Sequence, residues 1–495
     1  MVFKLILLLV LMASTTCADE LSLEQAIEST LQLQADIIYS KLSAEASRKA
    51  SEGARGPFDH ILSTNVEFSS AQTPLDEIEQ QLYNRDLIKT EPQTYGLTLT
   101  KLTRSGIGIE TTASVISSND ISPALTQPRE ASSSISVAIN FPIFDLIMEN
   151  TNTTNEKIAI ESNKAIINNY FFQASTSVYQ TALNYWAYLA AYERLLIYKD
   201  NEKNTRKMLS DFEKLVANGE RPKADANQIK ANLAVKLGQV VSGEKDLMTM
   251  GCELAKSMGM PYDGTNLPRP KSLWAHVQDP DTLEVDDFVQ RAFEHRYDIK
   301  SLESVIRSTE LMLESSKRIM KPDLNFYVKA NYSDKGPHVS EDVIDNAKTY
   351  TAGVVFSTPL GNSSAKSDLA QKEIALRQRA LNLANAKRKA SYDVASSINE
   401  LTQNLKAYAF SIETVTLYKE SLDVEEKKLK LGMSTVLDVI NTRENYQNAL
   451  VAKIENMRQV AVALAGVLYD AGDIISIEGD RISANLSALY SLSTN

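Results

Sequence analysis

The chain has 495 residues, of which 63 are acidic, 52 basic and four histidine. Its charges are interspersed rather than blocked, which argues against nucleic-acid binding and fits a large solvated surface. His60, His276, His295 and His338 stand far apart, and no P-loop, nucleophile elbow or dinucleotide fingerprint occurs, so no catalytic, cofactor or metal site is read and no enzyme is expected.

Residues 1–18 read as a secretory signal: Lys4, the apolar run Leu5 to Ala13, then small residues with a cut after Ala18. The run is too short for a spanning anchor, which needs about 20 apolar residues. Cys17 raises a lipoprotein signal as an alternative, although the Leu usual three positions upstream is missing. After export only Cys252 remains, so one chain holds no disulfide. No helix-length apolar run follows, so any membrane crossing must be made of strands.

Strands are read where polar and apolar residues alternate. Leu62, Val66 and Phe68 alternate with Ser63, Asn65 and Glu67, and Ile135, Val137, Ile139 and Phe141 with Ser134, Ser136 and Asn140. Leu324, Phe326, Val328, Ala330 and Tyr332 form a third such face, and Tyr350, Ala352, Val354 and Phe356 a fourth. Each segment approaches the roughly 9–11 residues of a tilted membrane strand. A half-buried strand in a soluble sheet would show the same alternation. What favours the membrane is the setting, an exported chain with strands between very long helices.

Those helices are read from Ile143 to Asn218 and from Asn362 to Leu431, stretches without Gly or Pro. At 1.5 Å per residue each would span about 100 Å. Val394, Ile398, Leu401, Leu405, Tyr408, Ile412, Val415 and Leu422 form a heptad stripe along the second. Gly219 and Gly432 stop the two helices, since Gly permits the left-handed cap. A returning helix starts at once, with Pro222 suited to its first turn, or Ser434 or Thr435 as its cap. Each half therefore holds a helical hairpin with a tight tip.

The halves match. Gln34-Ala35-Asp36-Ile37 parallels Arg296-Tyr297-Asp298-Ile299, and Gly219 to Asp225 has the spacing of Gly432 to Asp438. The domains are thus a signal at 1–18, a first repeat at 19–270, a second at 271–475 and a polar tail at 476–495, either loose or packed outside the helices. The first repeat carries an insertion at 72–130, with an alternating run from Tyr95 to Leu99 and a possible hairpin at Thr103-Arg104-Ser105-Gly106.

Four stretches then carry a resemblance: Arg296-Tyr297-Asp298-Ile299, Lys321-Pro322-Asp323-Leu324, Val354 to Gly361, and Lys428 to Ala449 with its tip Leu431-Gly432-Met433-Ser434-Thr435-Val436-Leu437-Asp438. In these the chain resembles the TolC family of outer-membrane efflux channels. The resemblance implies a mixed α/β membrane protein of four transmembrane strands per chain, closing a 12-stranded barrel as a homotrimer, with a periplasmic helical barrel. It also implies the role of passive exit duct of a tripartite efflux or type I secretion system. The partners would be outer-membrane lipid, a periplasmic adaptor and an inner-membrane transporter, with no cofactor. Strand aromatics Phe68, Phe326, Tyr332, Tyr350 and Phe356 would face lipid. The periplasmic gate would form at the tips. Asp438 matches the first of two gate aspartates of the family's best-known member, the second falls on Asn441, and Asp225 matches an aspartate that a Tyr and an Arg there hold. Those two positions are Leu429 and Ser434, so that lock is not reproduced, and Arg221 is an alternative partner for Asp438. An Asp in a first helical turn, as Asp225 and Asp438 are, is also favoured by the helix dipole alone. The competing reading is a periplasmic coiled-coil adaptor or structural protein.

Overall fold

The computed structural model describes residues 20–84, 86–120, 130–147, 152–220, 222–262, 267–277, 283–336, 347–479 and 481–492. The signal segment, Cys17 and Arg221 lie outside them.

Along the chain, β1 (Glu20–Leu21), α1 (Leu23–Leu33) and α2 (Ala35–Gly53) lead to β2 (His60–Phe68). The insertion follows as β3 (Ala71–Pro74), α3 (Glu77–Tyr83), β4 (Leu87–Leu102) and β5 (Gly108–Asp120). Then come β6 (Glu130–Pro142), α4 (Ile143–Ile147) and the hairpin α5 (Thr154–Ala217) with α6 (Lys223–Ser257). After β7 (Arg269–Pro270) and β8 (His276–Val277) the plan repeats as α7 (Val285–His295), α8 (Tyr297–Ile319), β9 (Asp323–Gly336), β10 (Ala347–Ser357), α9 (Ser363–Lys430) and α10 (Val436–Ala471). The chain closes with β11 (Ile475–Glu478), β12 (Arg481–Ala484), α11 (Leu486–Tyr490) and β13 (Ser491–Leu492).

Contacts divide the chain into two units, and each forms its own body. Unit 2 comprises residues 46–164 and 304–380 and holds one antiparallel sheet in the order β10-β9-β6-β5-β4-β2, with β3 on the end of β4. The four expected strands are present as β2, β6, β9 and β10. The insertion adds two strands to this sheet, β4 and β5, which stand between β2 and β6. The short alternation Tyr95-Gly96-Leu97-Thr98-Leu99 is only a weak sign of a long strand. Nine residues of β2 pair with β4, and that pairing makes the strand real.

Register puts side chains of one kind on one face. Leu62, Leu99, Thr111, Val137, Ala330 and Tyr350 form one row across the sheet, and Phe141, Phe326 and Val354 lie in another row on that face. Phe68, Tyr332 and Phe356 share it. The opposite face carries the row Ser63, Thr98, Thr112, Ser136, Asn331 and Thr349. On it the Thr98 and Thr112 hydroxyls bond at 3.2 Å and those of Ser114 and Ser134 at 2.8 Å. Tyr327 lies over Gly353, where a Cβ would meet its ring at 2.6 Å.

Unit 1 comprises residues 1–45, 165–303 and 381–495. Its largest core gathers Leu23 and Ile27 of α1, Ala182, Tyr185, Trp186 and Leu189 of α5, Leu254 of α6 and Leu468 of α10. Trp186 stacks on Trp274 at 5.7 Å, and the Tyr185 hydroxyl donates to the Leu21 carbonyl at 3.1 Å. A second core joins Phe288 and Ala292 of α7, Val394, Ile398 and Leu401 of α9, and Leu464 and Val467 of α10. The expected stripe on α9 drifts off this core: Ser411 is buried while Ile412 is 42% exposed. A straight helix turns about 20° per heptad against a strict seven-residue repeat, so a long stripe leaves its face.

The duplication extends to one contact. Gly259 ends α6 at φ +70°, and a Cβ there would lie 2.6 Å from the Leu33 carbonyl. Gly472 ends α10 at φ +80°, and a Cβ there would lie 2.8 Å from the Arg296 amide. Each returning helix thus abuts the break between two short helices, and only Gly allows both the conformation and the approach. Gln34 and Arg296, the cap residues at those breaks, bond Asp36 and Asp298. Asp470 is half-buried near Arg296 and Asp393, and desolvation there pushes its carboxyl up to about 6.

One further expectation changes, and one open alternative is decided. The first long helix begins at Thr154, not Ile143, after the short α4. The tail packs rather than hanging loose: Leu489 is fully buried, the β11–β12 hairpin leads into it, and β13 pairs β8 in parallel.

If the apolar face meets lipid, spin labels at Val328 and Val354 will report a hydrocarbon environment, and labels at Tyr327 and Val355 will report water. The reverse pattern would mean a register one residue out, because a single slip exchanges the faces.

Candidate functional site at the hairpin tips

Both tips are built the same way. After α5 the amides of Gly219 and Glu220 donate to the carbonyls of Val216 and Leu215, at 3.1 and 2.9 Å. After α9 the amides of Gly432 and Met433 donate to Leu429 and Lys428, again at 3.1 and 2.9 Å. This is a Schellman closure with Gly in the left-handed region, at φ +76° and +72°.

The helix starts differ. Pro222 is the residue before α6, not within its first turn, and makes no side-chain cap bond. Thr435 caps α10 in a reciprocal box with Asp438: its hydroxyl accepts from the Asp438 amide at 3.2 Å, and Asp438 accepts from the Thr435 amide at 3.1 Å and hydroxyl at 2.6 Å. These bonds from Thr435 hold the Asp438 carboxyl below its ordinary value. Ser434 is no cap; its hydroxyl donates back to Glu425 of α9. Asn441 is exposed, one turn further along α10, and Asp225 is half-buried in the first turn of α6. Asp225, Asp438 and Asn441 thus all lie next to the tips, and Asp438 is spoken for locally by its own helix start.

Sequence reasoning missed what joins the two hairpins. Asn232 and Lys236 of α6 donate to Glu444 of α10, at 2.9 and 3.3 Å. Lys236, only 2% exposed, also donates to Gln447 at 3.0 Å, and Gln447 donates to Gln239 at 2.9 Å. Closer to the tips Phe212, Ile229, Leu422, Leu429, Val436, Val439 and Ile440 form a small core drawn from all four long helices. Beside it a cleft of about 1010 Å³ opens between α5, α9 and α10, with Lys207, Glu426, Lys430 and Arg443 among its lining. Nothing in the local sequence marks Lys236, because its partners are more than 200 positions away. Among the described residues no helix is long and apolar enough to cross a membrane, and no group of residues could hold a metal.

Residues 288–468 match the family model described as outer membrane efflux protein. The chain also has the fold of solved outer-membrane channels. OprN, described as an outer-membrane channel, aligns with TM-score 0.67 at 12% identity, over 91% of this chain and 90% of its own. The CmeC outer membrane channel of Campylobacter jejuni aligns with TM-score 0.65 at 12% identity, over 91% and 85%. The outer membrane protein VceC of Vibrio cholerae gives TM-score 0.64 at 13% identity, over 91% and 96%. No curated protein sequence matches the chain.

Two outcomes are expected at the tips. Replacing Lys236 by Met removes a buried donor set worth about 1–2 kcal/mol, a 5- to 30-fold shift in any equilibrium that separates the hairpins. Single-channel recordings of Lys236→Met in planar bilayers will then show a larger open fraction; an unchanged fraction would mean that the contact persists in both states. Asp438→Ala will lower cation preference, and Asn441→Asp will strengthen block by divalent or trivalent cations. Because the Asp438 pKa is lowered, its charge persists as pH falls, so the preference will hold from pH 7 to about pH 4 and fade only below the ordinary carboxylate value. If neither substitution alters selectivity or block, Asp438 is a capping residue alone.

Proposed function

We propose that this chain, which carries an outer membrane efflux protein domain, is the passive exit duct of a tripartite efflux or type I secretion system. It works as a homotrimer in the outer membrane, with its helical hairpins on the periplasmic side. The observation that carries the reading is the sheet of unit 2. One face is predominantly apolar, the other carries Ser, Thr and Asn with Glu67, Glu110 and Lys329, and among the described residues β2 and β10 are each paired on one side only. Lipid on one face and water on the other is the arrangement of a membrane barrel. A soluble periplasmic adaptor would have no use for so large an exposed apolar face.

The strands cross the membrane, and small molecules or polypeptides pass inside. The energy comes from an inner-membrane transporter, joined through a periplasmic adaptor at the tips. The gate is set there by Asp438 and Asn441, with Asp225 at the neighbouring tip. The second tip offers a docking surface of suitable chemistry, since Leu431 and Met433 are 74% and 72% exposed.

The test begins with cell fractionation and native mass measurement after mild detergent extraction. An outer-membrane particle of three chains is expected, and a monodisperse monomer would sink the reading. Cross-linking in cells should then capture an adaptor and a transporter. Leu431→Ser with Met433→Ser should cut adaptor capture by at least about tenfold, since each buried apolar side chain is worth about 1.5–3 kcal/mol.

A further inference from the structure

The inserted strands β4 and β5 are bound into the sheet on both sides. β2 pairs β4 from His60↔Lys101 to Phe68↔Gln93, and β5 pairs β6 from Gly108↔Asn140 to Ser118↔Glu130. β2 and β6, adjacent in a four-stranded plan, therefore do not touch. We propose that this hairpin is part of the pore wall, and that three copies of the chain close an 18-stranded barrel, with β10 of each copy on β2 of the next. This rests on the trimeric reading above.

Three features support it. The first is direction. All five pairings in the path from β2 to β10 are antiparallel, so the six strands alternate and β10 runs opposite to β2. A copy placed beside either edge continues the alternation without a break.

The second is phase. Tyr95, Leu97 and Leu99 of β4 and Ile109 and Val115 of β5 fall on the same face as the apolar residues of the other four strands. Thr98 and Thr112 fall in the opposite polar row. A hairpin lying outside the wall would have no reason to keep this phase. Its lengths of 16 and 13 residues also suffice to cross a bilayer. Its turn is anchored as well: Gly106 holds φ +88°, and Arg104 pairs with Glu156 at the start of α5 at 3.2 Å.

The third is the open edges. Phe68 of β2 and Phe356 of β10 are 66% and 59% exposed, whereas Ile135 and Val137 of the interior β6 are 36% and 37% exposed. An edge open to hydrocarbon leaves backbone groups unpaired at several kcal/mol each. Six strands cannot close on themselves, since the smallest membrane barrels have about eight. A second copy of this chain is the partner whose edge has the matching direction and face.

The consequence is pore width. With strands about 4.8 Å apart and tilted about 40°, 18 strands give a barrel about 36 Å across between backbones, against about 24 Å for twelve. The outer mouth is then lined by repeats of the row from Ser63 to Thr349, with Glu110 and Lys329 in the adjacent row on the same face.

The test counts strands and asks which are neighbours. Cryo-electron microscopy of the unmodified protein in lipid nanodiscs should show 18 strands about a three-fold axis. In a Cys252→Ser background, Ser63→Cys with Thr98→Cys should form a disulfide within one chain. Ser63→Cys combined in turn with Thr349→Cys, Thr351→Cys or Val355→Cys should give a covalent trimer on a denaturing gel. Ser63→Cys with Ser136→Cys should not link, since β4 and β5 separate them. Twelve strands about a three-fold axis, or a link between positions 63 and 136, would overturn the proposal and leave the trimeric channel standing. A two-fold particle would overturn both.

Discussion

A strand edge in hydrocarbon has no water to pair with, and each unpaired backbone group there costs several kcal/mol. Among the described residues β2 and β10 each present an unpaired edge, on a sheet whose face from Leu62 to Tyr350 is predominantly apolar. On the trimeric reading proposed above, neighbouring copies complete the sheet. The alternating strand directions, the common phase of the side chains and the turn tied down by Arg104 and Glu156 are all compatible with that closure.

The helical unit solves a different problem, how to hold long hairpins in a fixed place. Each returning helix ends in a glycine pressed against the break between two short helices, Gly259 on Leu33 and Gly472 on the Arg296 amide. A Cβ at either position would collide with backbone, so the contact admits no other residue without a shift. Because both repeats use the same device, the two hairpins are held alike, although they share little sequence beyond a few motif positions. The tail adds to this frame, with Leu489 buried in the same core as Trp186.

At the tips the chemistry is divided. Backbone caps fix the turns, and Asp438 is held charged by bonds from Thr435. The hairpins are joined by a polar cluster around the buried ammonium of Lys236 rather than by the tip residues themselves. A buried charge with specific partners is sensitive to geometry, so such a contact suits a joint that must be either made or broken.

Much of this was legible in the sequence. Alternation identified β2, β6, β9 and β10 and which of their residues share a face, because a period of two needs no knowledge of neighbours. Gly219 and Gly432 announced the tips, because a left-handed cap is a local demand on one residue. The repeat was visible for the same reason, through short motifs that answer local requirements. What the tertiary structure alone decided depends on residues far apart in the chain. The fate of the inserted hairpin turned on the ladders to β2 and β6, which no periodicity within Tyr95–Leu99 encodes. The departure of Ile412 from its stripe came from helical drift accumulated over several turns. Lys236 acquired its role from Glu444 and Gln447 on another helix, and the packing of the tail from a core assembled out of four separate segments. Local conformational preference is written in neighbouring residues; partnership across the fold is settled only when the chain brings its distant parts together.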